Sequence, residues 1–196
     1  MKAEIRADGL HISGYVNIPG RMSRPVITRK YGKVIETIEQ RAFQRALEKA
    51  DNIVLKLDHD RVIAGTADKT LEAYEDEVGL RANAIISDSE VIEGAKHGKL
   101  RGWSFDMKDI IDELEERAEG LPIRHVKDFT MSEITLAMNK IPCYSSTSIE
   151  LRADDEESET ETRAFECDFA VTDKRETNKP NLKEYQNRIN KLKTNK

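Results

Sequence analysis

The run Asn52-Ile53-Val54-Leu55-Lys56-Leu57-Asp58-His59-Asp60 (NIVLKLDHD, residues 52–60) decides how this chain is read. Between Ile53 and Leu57 apolar residues recur at every second position, the pattern of a half-buried β-strand. The strand ends in a histidine flanked by two aspartates. A strand end facing a cleft can hold a side chain rigidly and still leave it accessible, which a general base requires. Nearby carboxylates favour the imidazolium that forms when such a base accepts a proton. The competing reading is a metal site made by Asp58, His59 and Asp60. Successive strand residues point to opposite faces, so the three converge poorly on one ion. No His-Glu-x-x-His or Cys/His spacing supplies further ligands. No cofactor or metal is therefore expected.

Moving outward, Leu10–Val16, the stretch around Val34, Ile35 and Ile38, Val62–Ala67, Thr70–Glu75 and Leu80–Ile86 also read as strands. So do Gly102–Met107, Ile123–Val126, Ser132–Met138 and Ser145–Leu151. Three helices are expected. The first follows Ile38, with Ala42, Phe43, Ala46 and Leu47 on one face. The second is capped by Asp88 and runs through His97. The third covers Asp109–Ala118 and is stopped by Gly120 and Pro122. Many short strands with few helices, in no regular alternation, predict an α+β, mainly β fold: a β-barrel wrapped by a few helices.

The 196 residues carry 38% hydrophobic and 35% charged side chains, so the core must come from part of the chain. Residues 1–152 hold nearly all the periodic apolar segments and form the expected folded domain. Residues 153–196 pass from an acidic block, DDEESETETR, to a basic one. That composition predicts a disordered tail, with an amphipathic helix at Leu182–Leu192 too short to be stable alone. A net charge of −5 argues against nucleic acid as the main partner. Two cysteines, Cys143 and Cys167, fit a reducing compartment. The expectation is a cytoplasmic chain, with neither the apolar core of a signal peptide nor a run approaching the ~18 apolar residues of a membrane helix.

Two further positions invite chemistry. Ser104 lies in Arg101-Gly102-Trp103-Ser104-Phe105-Asp106, which is not the Gly-x-Ser-x-Gly elbow of α/β-hydrolases. It reads either as a core hydroxyl or as a nucleophile beside a glycine that admits a close backbone. Glu133, in Met131-Ser132-Glu133-Ile134-Thr135-Leu136, faces away from the core together with Thr135 if Ile134 and Leu136 face inward. It is a solvent-facing carboxylate or the acid that orients a catalytic histidine.

In sequence order, these pieces resemble the prohead, or capsid maturation, proteases of tailed phages, relatives of the herpesvirus assemblins. The resemblance rests on Gly14-Tyr15; Glu36 with Phe43 and Leu47; Asp58-His59-Asp60; Gly65-Thr66; Asp76-Glu77-Val78-Gly79-Leu80; Gly102-Trp103-Ser104-Phe105-Asp106-Met107; and Ser132-Glu133-Ile134-Thr135-Leu136. It implies His59 as base, Ser104 as nucleophile and Glu133 as third member. The assemblins use a second histidine there, making His125 the alternative and His97 a more distant one. Two departures stand out: Asn139-Lys140-Ile141-Pro142-Cys143 replaces a Pro-Ala-Asn-type segment, and Trp103 is larger than the usual residue before the serine.

The resemblance further implies a serine endopeptidase that cleaves the scaffolding segment of the major capsid protein, and itself, inside the procapsid in the host bacterial cytoplasm. The expected partners are the capsid protein and a second copy of the chain, with no nucleic acid or membrane. The residues after Arg152 would be a packaging or self-cleaved segment. A non-catalytic scaffold or assembly-interaction protein on the same barrel is the alternative. The joint presence of His59 and Ser104 in their motifs argues against it.

Overall fold

The computed structural model describes residues 1–138 and 160–175. In chain order the elements are β1 (Lys2–Arg6), β2 (Gly9–Asn17), β3 (Val26–Thr28), β4 (Gly32–Ile38), α1 (Ala42–Lys49), β5 (Val54–Leu57) and β6 (Arg61–Gly65). They continue with β7 (Leu71–Glu75), β8 (Leu80–Ile86), α2 (Ser89–Lys96), β9 (Gly102–Glu115), β10 (Ile123–Thr130), β11 (Glu133–Ala137), β12 (Glu161–Glu166) and β13 (Ala170–Asp173). The fold is mainly β with two short helices.

The strands form two open mixed sheets. One has the order β13-β1-β2-β8-β7. The other runs β3-β4-β10-β9-β11-β5-β6, with β12 also pairing β9. The contacts β1–β13, β4–β10 and β5–β11 are parallel; the rest are antiparallel. This corrects the expected closed barrel. Closure needs the outermost strands to pair with each other, and among the described residues β3 and β6 end the larger sheet separately. Strand count and alternation are common to open and closed sheets, so they did not distinguish the two.

Both sheets turn their apolar faces into one buried cluster with α1 and α2. Phe43 of α1 meets Phe105 of β9 and Phe129 of β10 edge-to-face, with ring centroids 5.1 and 5.3 Å apart. Such pairs add about 0.5–1.5 kcal/mol beyond the area they bury. The start of α1 has no capping side chain of its own. Instead the Glu75 carboxylate of β7 accepts the backbone N–H of Arg41 and of Gln44, each at 2.8 Å, filling donors that a helix start leaves open. At α2, Asp88 accepts from Glu90 N and Val91 N, as its position before the helix predicted.

The third expected helix is absent. Residues 109–115 instead extend β9, with Lys108, Ile110, Asp112 and Leu114 half-buried and their neighbours exposed. The helix-forming glutamates and leucine of this stretch are overridden by pairing with β10 along Ile123–Val126. Part of the segment expected to be unstructured is also strand. Residues 161–166 pair antiparallel with β9, and residues 170–173 pair parallel with β1. Their low hydrophobicity is offset by buried ion pairs, of which Arg163 to Glu36 is the clearest. The strand expected at Ser145–Leu151, Cys143 and the helix expected at Leu182–Leu192 lie outside the described residues.

Candidate active site

The site is built where β5 and β11 run parallel beside the first half of β9. Asn52 and Thr66 fix the entry to β5: Thr66 Oγ1 accepts from Ile53 N at 2.9 Å and donates to Asn52 Oδ1 at 2.9 Å. Leu55 and Leu57 enter the core, leaving Lys56 on the opposite face. Beyond Leu57 the chain turns sharply. Asp58 and His59 take φ of 51° and 62°, two successive non-glycine residues in the left-handed region. Each such residue costs about 1–2 kcal/mol, which identifies the turn as strained. Asp58 holds it: its N–H donates to Leu136 O at 3.0 Å and its Oδ1 accepts from Met138 N at 2.7 Å. The Asp58 carboxylate thus clamps the end of β11 while His59 turns toward Glu133, so neighbouring members of the motif serve different partners.

His59 Nδ1 lies 2.6 Å from Glu133 Oε1 and 3.2 Å from Thr135 Oγ1. Thr135 donates its hydroxyl proton to the same Glu133 oxygen at 2.8 Å. An ionised carboxylate only accepts, so the Nδ1 of His59 carries the hydrogen and, in the neutral ring, Nε2 keeps its lone pair. The other carboxylate oxygen of Glu133 receives Lys56 Nζ at 2.5 Å. Burial pushes the Glu133 carboxyl up, but hydrogen bonds from His59, Lys56 and Thr135 outweigh it and hold the pKa down to about 2. The carboxylate is therefore a fixed negative charge behind the imidazole.

Glu133 is itself anchored through the backbone. Asp106 of β9 accepts the N–H of Ser132 at 2.9 Å and of Glu133 at 2.8 Å on Oδ1, and the Ser132 hydroxyl at 2.7 Å on Oδ2. Charge-assisted bonds of this kind are about twice as strong as neutral ones, and three of them fix where β11 begins.

Ser104 stands directly opposite Thr135 across the β9–β11 ladder and opposite Ala164 across the β9–β12 ladder. Facing residues of adjacent antiparallel strands bring their Cβ atoms to about 4.5–5.5 Å. Ser104 is 2% exposed and its Oγ has no hydrogen-bond partner among the described residues. Leaving a buried hydroxyl unpaired costs about 1–3 kcal/mol, an expense unusual for a purely structural serine. His59 and Glu133 are thus in contact, and Ser104 is one strand across from the threonine that touches both.

The other histidines are elsewhere. His125 Nε2 pairs with Glu115 at 2.8 Å on the far half of β9, and His97 at the end of α2 bonds Glu93 O through Nδ1. His11 pairs with Asp8. Lys56, Thr135 and Asp106 were not singled out from the sequence. Their signal was present: Lys56, Asp106 and Thr135 alternate with the apolar core residues of β5, β9 and β11, as Ser104 and Glu133 do.

A buried acid–histidine pair one strand from a serine whose hydroxyl has no partner among the described residues, on a mainly β scaffold, is an arrangement that a serine hydrolase could use. The sequence profile of the caudovirus prohead serine proteases matches residues 1–162, and the chain belongs to that family. It is therefore a serine protease of the kind that acts in phage capsid maturation, not the non-catalytic scaffold weighed from the sequence. Comparison with curated proteins and with solved structures finds no match.

Proposed function

We propose that Ser104, His59 and Glu133 are the nucleophile, base and orienting acid of this protease, and that its substrate is the scaffolding segment of the major capsid protein. The single observation carrying the assignment is the His59–Glu133 contact at 2.6 Å, supported on Thr135 opposite Ser104. With Nδ1 donating to Glu133, Nε2 is the nitrogen that carries the lone pair of the neutral ring and takes the proton in this mechanism. Ser104 Oγ attacks the peptide carbonyl, and its proton passes to Nε2. The C–N bond then breaks, with the same proton going to the leaving amine. Water deprotonated by His59 releases the acyl group, which regenerates the Ser104 hydroxyl. The negative charge of Glu133 offsets the imidazolium formed in each half-reaction.

The test is co-expression of the chain with its capsid protein, followed by intact-mass measurement. Ser104→Ala is expected to abolish processing while raising thermal stability slightly, since it removes an unpaired buried hydroxyl worth about 1 kcal/mol or more. Continued processing by that variant would remove Ser104 from the mechanism.

A further inference from the structure

β9 has two sides along Gly102–Met107. One is taken by β11, which carries Glu133 and Thr135. A polypeptide reaching Ser104 in extended form can pair only along the other, and that side is taken by the chain's own β12, with Ala164 facing Ser104. The residue before Ala164 is bound as a ligand would be. Arg163 makes a two-pronged contact with Glu36, Nε to Oε1 at 2.7 Å and Nη2 to Oε2 at 2.8 Å, and Glu36 is 2% exposed. Paired N–H donors matched to both carboxylate oxygens are the geometry by which arginine is selected over lysine. Glu161, two residues earlier, accepts from Arg124 Nη1 at 2.6 Å, and Arg124 also reaches Glu36 at 3.1 Å and Asp112 at 2.6 Å. A cavity of about 500 Å³ opens beside this strand, with Arg21, Arg24, Glu36, Ile38 and Cys167 in its wall. Ser104, with 2% exposure, is not accessible to a second chain in this arrangement.

We propose that residues 161–166 occupy, within the molecule, the edge of β9 along which a polypeptide substrate must lie, and that buried Glu36 is the subsite that reads an arginine in it. The strand is an internal occupant that must leave before Ser104 can act. The substrate class that replaces it is an extended segment with arginine next to the residue facing Ser104. This rests on Ser104 being the nucleophile.

The full chain is compared with its Arg163→Ala variant using a fluorophosphonate probe. In labelling, Ser104 Oγ bonds to phosphorus, fluoride leaves, and the hydroxyl proton passes to His59. Amide hydrogen exchange is followed in parallel. The variant is expected to lose protection at 161–166, keep it in β10, and label at least tenfold faster. A peptide spanning residues 159–168 should then restore slow labelling, and the same peptide with alanine for arginine should not. Faster exchange at 161–166 without faster labelling overturns the proposal, and equal suppression by both peptides overturns the Glu36 subsite. If Arg163→Ala unfolds, Ala164→Pro and Phe165→Pro are scored in the same way. Consecutive strand amides point to opposite sides, so one of these two removes a β9–β12 hydrogen bond without touching Glu36. Unfolding of all three overturns the proposal, because an integral strand is no removable occupant. Capsid processing by the unaltered chain and by Ser104→Ala tests the nucleophile separately.

Discussion

Replacing Glu133 by glutamine keeps the shape of the side chain and removes its charge, and the neighbouring groups determine how the new amide is oriented. Lys56 can only donate, so it retains the amide oxygen and turns the NH2 toward His59. An amide donor at Nδ1 forces the ring hydrogen onto Nε2, the nitrogen that receives the serine proton in the proposed mechanism. Loss of the correct tautomer in a Ser-His-acid triad costs on the order of 10⁴ in kcat. A stability effect accompanies it. The Glu133 carboxyl titrates at about 2 instead of 4.5. At 1.36 kcal/mol per unit this is about 3 kcal/mol of native-state stabilisation. The native pKa lies below the unfolded one, so that stabilisation is complete above about pH 4.5 and is lost as pH falls through 2. Urea unfolding of the parent and Glu133→Gln between pH 2 and 7, with peptide hydrolysis at neutral pH, measures both effects. The stability gap is expected to be about 3 kcal/mol at pH 6 and to close below pH 4.5. A gap that does not change with pH would refute the electrostatic account, and near-normal kcat would refute the tautomer argument.

Asp106→Asn, with its amide oxygen in the place of Oδ1, leaves both backbone N–H groups at the start of β11 on a neutral, weaker acceptor and sets its NH2 against the Ser132 hydroxyl, and is expected to cost about 1–3 kcal/mol in denaturant unfolding while lowering kcat through a misplaced Glu133. Lys56→Met keeps the aliphatic stem and removes the ammonium, so the acid-dependent part of stability should shift to higher pH, toward 4.5, with kcat falling by no more than about tenfold because His59 keeps its partner. Phe43→Ala empties the junction between α1, β9 and β10, and an aromatic truncation of this kind is expected to cost about 3–5 kcal/mol in unfolding free energy.

The sequence was most legible where one local rule acted alone. The alternation of β5 and the Asp88 cap of α2 follow from spacing and hydrogen-bonding capacity within a few residues. It failed where distant partners decide. Nothing local to Asp109–Glu115 favours a strand; β10 supplies that preference from across a turn. Residues 161–166 look solvated until Glu36 and Arg124, many residues away, neutralise them. Whether the larger sheet closes depends on the relation between β3 and β6, which no periodicity encodes. At the site, His59 could be singled out by its flanking aspartates. The roles of Lys56, Thr135 and Asp106 require the register of three strands.

The parallel pairing of β5 with β11 also has a consequence in time. His59 and Glu133 are 74 residues apart in sequence and meet only when those strands align. At about 5–20 residues per second, a ribosome needs on the order of 4–15 s to add that interval. During it the nascent chain carries its histidine and, later, its serine, but no acid to set the imidazole tautomer. On the proposed assignment, the histidine and its acid therefore cannot form a working pair before β11 has been made and aligned with β5.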